Sequence, residues 1–446
     1  MKMRTIISAL FVLSALFTGA QNYTLNQCKD LAIKNNIKVK NKGLDVEASK
    51  EIKRAAFTKY FAEVKATALG YHFSDPLLKM DMKGGNLPVY DGNMANLASA
   101  TNFAYFPDMS LSLLEKGNLG FVTATQPLYA GGRIKSGNKL ASIGVEVSEL
   151  QLKLIEKEIL LETEKQYWQV ISLYEKKKTL EHYRCLLDTL HRNVLIGVKA
   201  GMVTRNDLLK VELKQNELQM DYSKLNNGIE LAKMAFCQYI GIDYTNGIKF
   251  EDKTAIDETP EQYYIDHLDA LVNREEYTML QKSTQAEKYK TKLQRGDYLP
   301  QAAIGVGAAY LDIMDDSGDG YGMVFGTINI PISKWWESKH KMKERRIREE
   351  QNKNMVNDTN EQLLLQMQQG LNTLNEAYTQ IQLAQKSIRQ SEENLMINQN
   401  HYKAGMVDVS DMLEAQAQLQ ESYDKYTEAL TQYRIAKVNY LQVTGR

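Results

Sequence analysis

Seven prolines in 446 residues leave very long helices open to this chain, because proline breaks a helix interior by removing a donor and crowding the preceding turn. Cysteine is scarcer still. Cys28, Cys185 and Cys237 are an odd set that makes no disulfide framework, and they are expected as buried small hydrophobes. Charge of one sign is missing: 55 Lys and Arg stand against 55 Asp and Glu, which gives no case for nucleic acid as a partner. Beyond the first twenty residues no run of about eighteen apolar residues occurs, so no transmembrane helix is expected. A chain of this kind could enter a bilayer only as strands closed into a barrel. There is no Gly-rich phosphate loop, no Gly-x-Ser-x-Gly and no His-Glu-x-x-His. No catalytic, cofactor-binding or metal-ligating residues are therefore predicted, and no enzyme.

What is present begins with an address. Lys2 and Arg4 precede an apolar run from Ile6 to Phe17 and then Thr18-Gly19-Ala20, the pattern of a secretory signal over residues 1–20, cleaved before Gln21. The run is too short to span a membrane, and no cysteine at the cleavage point offers a lipid anchor. The protein is expected to be exported.

The mature chain then says most things twice. Lys199-Ala200-Gly201-Met202-Val203 returns as Lys403-Ala404-Gly405-Met406-Val407, a shift of 405 − 201 = 204 residues. The same shift pairs Asp207 with Asp411, Leu209 with Leu413, Tyr222 with Tyr426 and Gly241 with Gly445. Backward it pairs Tyr174 with Tyr378 and Pro127 with Pro331. One offset held over more than a hundred positions is a duplication. The first repeat is read as 21–241, a connector as 242–259 and the second repeat as 260–446.

Within each repeat the hydrophobic period changes. Thr24-x-x-Gln27 is a capping box opening a helix to about Ala56. From 62 to 71, Val64, Ala66 and Ala68 alternate with Glu63, Lys65 and Thr67, which predicts a strand with one apolar face. A Gly-, Asn-, Asp- and Ser-rich stretch with Pro76, Pro88 and Pro107 reads as a long loop, and alternation resumes over 119–128. From about Arg133 to Val198, Leu140, Ile143, Val147, Leu150, Leu154 and Leu161 form one stripe, while Val145, Leu152 and Ile159 form a second. Two seams ask for neighbours on both sides. At ~1.5 Å per residue such a helix reaches roughly 100 Å, or breaks into two stacked pieces. Gly201 ends it, and Thr204-x-x-Asp207 caps a return helix to about Tyr239. The second repeat predicts a helix over 260–295, strands over about 302–310 and 322–332, a second long helix, a tip at 403–408 and a final helix capped by Asp408-x-x-Asp411. Ahead of the strands the offset is nearer 240, so the first inter-strand loop is the longer. The result is a mainly α chain with a small β part. Four strands cannot close a barrel; three copies would supply twelve.

These residues resemble the TolC-like outer-membrane efflux proteins over nearly the whole mature chain. The likeness is carried by Thr24-Leu25, Leu31-Ala32 and Asn36, by Gln126-Pro127-Leu128-Tyr129-Ala130-Gly131-Gly132, by Leu299-Pro300 and Ile330-Pro331-Ile332, and by both Gly-centred tips. It implies a homotrimer with a twelve-stranded β-barrel in outer-membrane lipid and a barrel of coiled-coil-like helices in the periplasm. A periplasmic adaptor protein and an inner-membrane transporter would dock onto that barrel. By position, Tyr402 matches a tyrosine that helps hold the closed tip, and Asp411 and Glu414 match acids that ring the constriction. The arginine expected two residues after the glycine is replaced by Val407. Adaptor contact is implied at Gly201, Met202, Val203 and Thr204 and at Gly405, Met406 and Val407. Independently of the resemblance, Asp408, Asp411 and Glu414 are spaced by three and share a helix face, and a ring of carboxylates favours cations. Acids also suit a helix start for capping alone, whereas Glu414 stands opposite Lys210 in the other repeat.

Other features are read more plainly. Asp315-Asp316-Ser317-Gly318-Asp319-Gly320 starts like a calcium loop but lacks the closing Glu, and a surface turn is favoured. His182 and Cys185 lack a third ligand, so core or seam is expected. The methionines read as gap fillers in helix seams. Trp335 and Trp336, at the end of a strand, mark a membrane interface, and the basic run 339–346 is a solvated helix face. The function expected is a passive outer-membrane channel of a tripartite efflux or type I secretion system. The competing reading is a structural coiled-coil spacer in the envelope.

Overall fold

A computed structural model describes residues 22–90, 92–94, 101–113, 115–251, 258–312 and 318–446. The expected signal sequence and the first half of the acidic turn read at 315–320 lie outside them. The chain opens with β1 (Asn22–Tyr23), α1 (Leu25–Asn35) and α2 (Ile37–Thr58), and continues through β2 (Glu63–His72) to a series of short strands. These are β3 (Leu78–Met82), β4 (Gly85–Pro88), β5 (Phe103–Phe106) and β6 (Met109–Leu113). Then come β7 (Lys116–Ala130), α3 (Arg133–Lys199), α4 (Arg205–Ile240) and β8 (Lys249–Phe250). The second half runs through α5 (His267–Leu271), α6 (Glu275–Gly296), β9 (Gln301–Asp312), β10 (Asp319–Asn329), α7 (Lys334–Lys403) and α8 (Val409–Val443). Packing divides the described residues into two units that each draw on both repeats: one within 22–50, 143–285 and 350–446, the other within 51–142 and 286–349.

The long helices are unbroken, at 67 residues for α3 and 70 for α7. The shorter ones are not. The helix expected from Thr24 to Ala56 is interrupted at Asn36, which is extended (φ −61°, ψ 130°). Its Nδ2 donates to the Tyr239 carbonyl and its Oδ1 accepts from the Lys38 amide, which offsets the lost helical bonds. The helix expected over 260–295 is likewise divided, into a 3₁₀ turn (Pro260–Tyr263), α5 and α6. Asp266 caps α5 by accepting from the Leu268 and Asp269 amides.

In the first unit the α1, α3 and α4 helices meet on an apolar core around Ile159, Tyr167, Phe236 and Ile240, all fully or almost fully buried. The connector is less irregular than its sequence predicts. β8 pairs in parallel with β1, and Phe250 is laid against Phe236, ring centroids 5.0 Å apart. The Tyr167 hydroxyl fastens this edge by donating to the Tyr23 and Glu251 carbonyls. Cys28 and Cys237 are buried here as expected, but Cys185 is exposed. His182 is exposed too, because Tyr183 and Leu187 take the core-facing positions of that turn.

In the second unit the strands form one antiparallel sheet in the order β10-β9-β7-β2. The ladders fix which residues share a face. On one side lie Val64, Ala66 and Ala68 of β2, Val122 and Ala124 of β7, Ile304 and Val306 of β9, and Val324 and Ile328 of β10. The middle of that face is apolar and open, Val64 being 67% exposed, Val306 54% and Val324 85%, while Gln126 borders it at one end and Asn118, Asp312 and His72 at the other. The other face carries Glu63, Lys65, Thr67, Thr123, Thr125 and Thr327 among apolar neighbours. The predicted last strand ends early, at Asn329, so Trp335 and Trp336 sit on the first turn of α7 and not on a strand. The stretch read as a long loop holds two further ladders, β3 with β6 and β4 with β5. The basic run is also not wholly solvated: Arg345 is bound by the Glu287 carboxylate of α6.

Candidate functional site

Two hairpin tips carry most of the residues singled out above. In the first, α3 ends into Gly201, whose φ of +74° is the left-handed conformation that glycine adopts without strain. The Met202 and Val203 amides both donate back to the Gly197 carbonyl, at 2.9 and 3.3 Å. Thr204 Oγ1 accepts from the Asp207 amide and donates to Asp207 Oδ2 at 2.6 Å. The second tip repeats the plan with different capping chemistry. Gly405 has φ +72°, and the Met406 amide donates to the His401 carbonyl at 2.8 Å. Asp408 Oδ1 accepts from the Ser410 and Asp411 amides at 2.7 and 3.1 Å, while Asp411 Oδ2 accepts from the Asp408 amide at 3.2 Å. Met202 and Met406 are 84% and 73% exposed, two apolar side chains offered to the surroundings at equivalent points of the duplication.

Both tips rest on one core of Leu190, Val194, Val211, Val409, Met412 and Ala415, with Val203 and Tyr402 packed against it. Asp408, Asp411 and Glu414 lie on the exposed side of α8. Glu414 accepts from Gln418 there. The structure also joins the tips through residues the sequence reading did not connect. Lys210 Nζ stands 3.2 Å from Asp207 Oδ1 and donates to Ser410 Oγ at 2.9 Å. The Asp207 carboxyl is held below the usual carboxylate range, first by the Thr204 hydroxyl and then, against some desolvation, by Lys210. Burial pushes the Tyr402 phenol up, and the nearby Asp207 charge adds to it. Tyr402 of one tip and Asp207 of the other are thus neighbours. The one signal that points to this contact is the change of sign at a duplicated position, Lys210 against Glu414.

In the second unit, aromatic residues collect where strands meet helices at one end of the sheet. Trp335 Nε1 donates to the Tyr298 carbonyl at 2.9 Å and Trp336 is 80% exposed. Phe57, Tyr60 and Phe61 flank the start of β2, with Phe57 5.6 Å from Tyr60 and 5.5 Å from Phe61 between ring centroids. These three were not singled out in the sequence because they fall between a helical and an alternating segment. Among the described residues no cluster of three or more His, Cys, Asp or Glu is placed to hold a metal, and no helix is long and apolar enough to cross a membrane.

Residues 268–446 match the family model described as outer membrane efflux protein. Compared by sequence with curated proteins, the chain has no match. Solved structures match almost the whole of it. The outer membrane protein VceC of Vibrio cholerae is 13% identical, with 94% of this chain and 96% of that one covered and a TM-score of 0.71. CusC, described in connection with transmembrane channel formation, is 13% identical over 97% and 94%, with a TM-score of 0.75. The CmeC outer membrane channel of Campylobacter jejuni is 15% identical over 94% and 85%, with a TM-score of 0.71. The fold is therefore the TolC-like one, mostly helical with a small strand part, as the sequence resemblance implies.

Proposed function

We propose that this chain, having the fold of outer membrane efflux channels, is itself the outer-membrane conduit of a tripartite efflux or type I secretion system. Three copies join their sheets into a twelve-stranded barrel in outer-membrane lipid, and the long helices stand in the periplasm. An adaptor and an inner-membrane transporter deliver substrate, which passes through without chemistry. The tips around Gly201–Thr204 and Gly405–Val407 take the adaptor, their exposed Met202 and Met406 supplying the apolar contact. Asp408, Asp411 and Glu414 line the constriction, with Tyr402 holding it from behind. Trp335 and Trp336, joined by Phe57, Tyr60 and Phe61, sit at the membrane interface, where aromatic side chains with one apolar and one polar end are favoured.

The observation that carries this reading is the sheet. Four strands with two open edges and one exposed face whose middle is an apolar band make no sense in water. They make sense as part of a closed wall against hydrocarbon, where every backbone group must be paired. A periplasmic spacer needs no such face. The test is a gel of outer membranes run with and without heating, followed by reconstitution into planar bilayers. A heat-modifiable trimer that conducts ions is expected. A monomer that stays in solution without detergent would overturn the proposal.

A further inference from the structure

We infer that the seam between neighbouring subunits copies the seam between the two repeats of one chain, residue for residue, with its ion pair reversed in sign. This rests on the trimeric reading above and deepens it. Inside the chain the repeats join where β7 pairs with β9, for example Ala124 opposite Val306 and Thr123 opposite Gly307. The outer strands β10 and β2 are left with open edges, and they are the repeat counterparts of β7 and β9. The sequence repeat sets β7 onto β10, as Pro127 onto Pro331, and the ladders then set β2 onto β9 to the residue. Val64 is opposite Ala124 in the first repeat and Ala302 is opposite Ile328 in the second. β7 therefore maps onto β10 by 328 − 124 = 204 residues and β2 onto β9 by 302 − 64 = 238.

Carrying the β7–β9 ladder through this map sets the register of the subunit seam. Ile328 stands opposite Ala68 of the partner subunit, Thr327 opposite the partner's Leu69 and Gly326 opposite the partner's Gly70. The faces stay matched, since Ile328 and Ala68 both belong to the apolar side and Thr327 and Leu69 to the other. A slip of one residue would exchange them.

The helices that flank the seam add a second feature. Arg133, at the start of α3, lies 3.1 Å from Asp297, just past the end of α6. The same map turns Arg133 into Glu337 and Asp297 into Lys59, so each sign is exchanged. Among the described residues neither Glu337 nor Lys59 has an ion-pair partner in its own chain. Across the subunit seam Glu337 would meet the partner's Lys59. The reversal separates two similar seams during assembly. A neighbour's first repeat seated wrongly against α3 would bring the partner's Lys59 to Arg133, and a wrongly seated second repeat would bring like acids together; such repulsion rejects the wrong pairing.

The test uses the full chain in outer membranes with Cys185→Ser as background. The pair Ala68→Cys with Ile328→Cys should oxidise to covalent dimers and trimers, because directly opposed strand residues lie within disulfide reach. The pair Leu69→Cys with Ile328→Cys, whose side chains point to opposite faces, should not. Lys59→Glu and Glu337→Lys should each lower the heat-resistant trimer several-fold, and the two together should restore it. Crosslinking through Leu69 in place of Ala68, or no restoration by the double exchange while the parent remains trimeric, overturns the seam and leaves the trimer standing. A parent chain that shows no trimer at all overturns the trimeric reading itself.

Discussion

Asp207 makes more contacts than a capping residue requires. Its carboxyl takes the Thr204 hydroxyl and the Lys210 ammonium, and that same ammonium reaches Ser410 on the other tip. Its lowered pKa gives the contact a definite pH dependence. A carboxylate whose folded pKa lies below the unfolded value contributes stability above the unfolded value, about 3.9, and loses it as pH falls through the folded one. Asp207→Asn should accordingly melt below the parent at neutral pH, and the gap should close as the pH is taken below about 4. A gap independent of pH in thermal melts of the trimer would remove the charge from the account. The neighbouring acids have a different part. Asp408 and Asp411 cap each other's backbone, which any helix start could use, but Glu414 lies a full turn farther on and serves no cap. If the three acids ring the pore, Asp411→Asn with Glu414→Gln should shift the reversal potential in a salt gradient from cation-preferring toward zero by half or more. An unchanged potential would leave them as capping residues only.

The tips as elements depend on two residues with positive φ. Gly201 and Gly405 have open space where a Cβ would go, so replacing either with alanine introduces backbone strain and nothing else. A left-handed residue with a side chain costs about 1–2 kcal/mol. Each substitution should speed local amide exchange at its own tip by roughly tenfold, the equivalent of about 1.4 kcal/mol, while melting of the whole changes little. Uniform acceleration along α3 and α4 would mean the tips are not separable units. Both glycines were readable in sequence, as were the caps and the long seams, because each is decided by residues within a few positions. The breaks at Asn36 and near Arg274 were not. Asn36 is held by a carbonyl 203 residues away, and its local cap on the Lys38 amide is a weak signal inside a continuous helical stripe. The paired β3 and β6 are an intermediate case. Leu78-Lys79-Met80-Asp81-Met82 alternates visibly, as does the run from Met109. Short runs set among Pro76, Gly84, Gly85, Pro88 and Pro107 were outweighed by the loop composition around them. At the site, Asp411 and Glu414 lie on the exposed side of α8 with Asp408 at its cap, while the Lys210–Ser410 bridge depends on how two hairpins pack and left only a change of sign behind.

For the whole molecule the decisive question is which solvent each face of the sheet meets. Alternation along one strand cannot say, since it gives two faces without telling which is out. The ladders show which residues share a face, aligning Val64, Ala124, Val306 and Val324 across all four strands on one open side, the side that the proposed barrel turns to lipid. Thr67 and Thr123 share the other side. In water such an apolar band would be a liability, and in hydrocarbon it would stabilise the proposed wall. Two lysines placed at similar depth should separate the cases. Val306→Lys puts a charge on the apolar face, where the cost near the bilayer midplane is about 2–4 kcal/mol per chain and is incurred three times in a trimer. Thr123→Lys puts the same charge on the opposite face, which in the proposed barrel is turned to a watery interior, where it would keep its hydration and only alter the selectivity of the passage. Refolding into lipid vesicles, followed by urea titration, should therefore show a large loss of stability for Val306→Lys and little for Thr123→Lys. The opposite ranking would turn the sheet inside out, and equal, small effects for both would mean that neither face meets lipid.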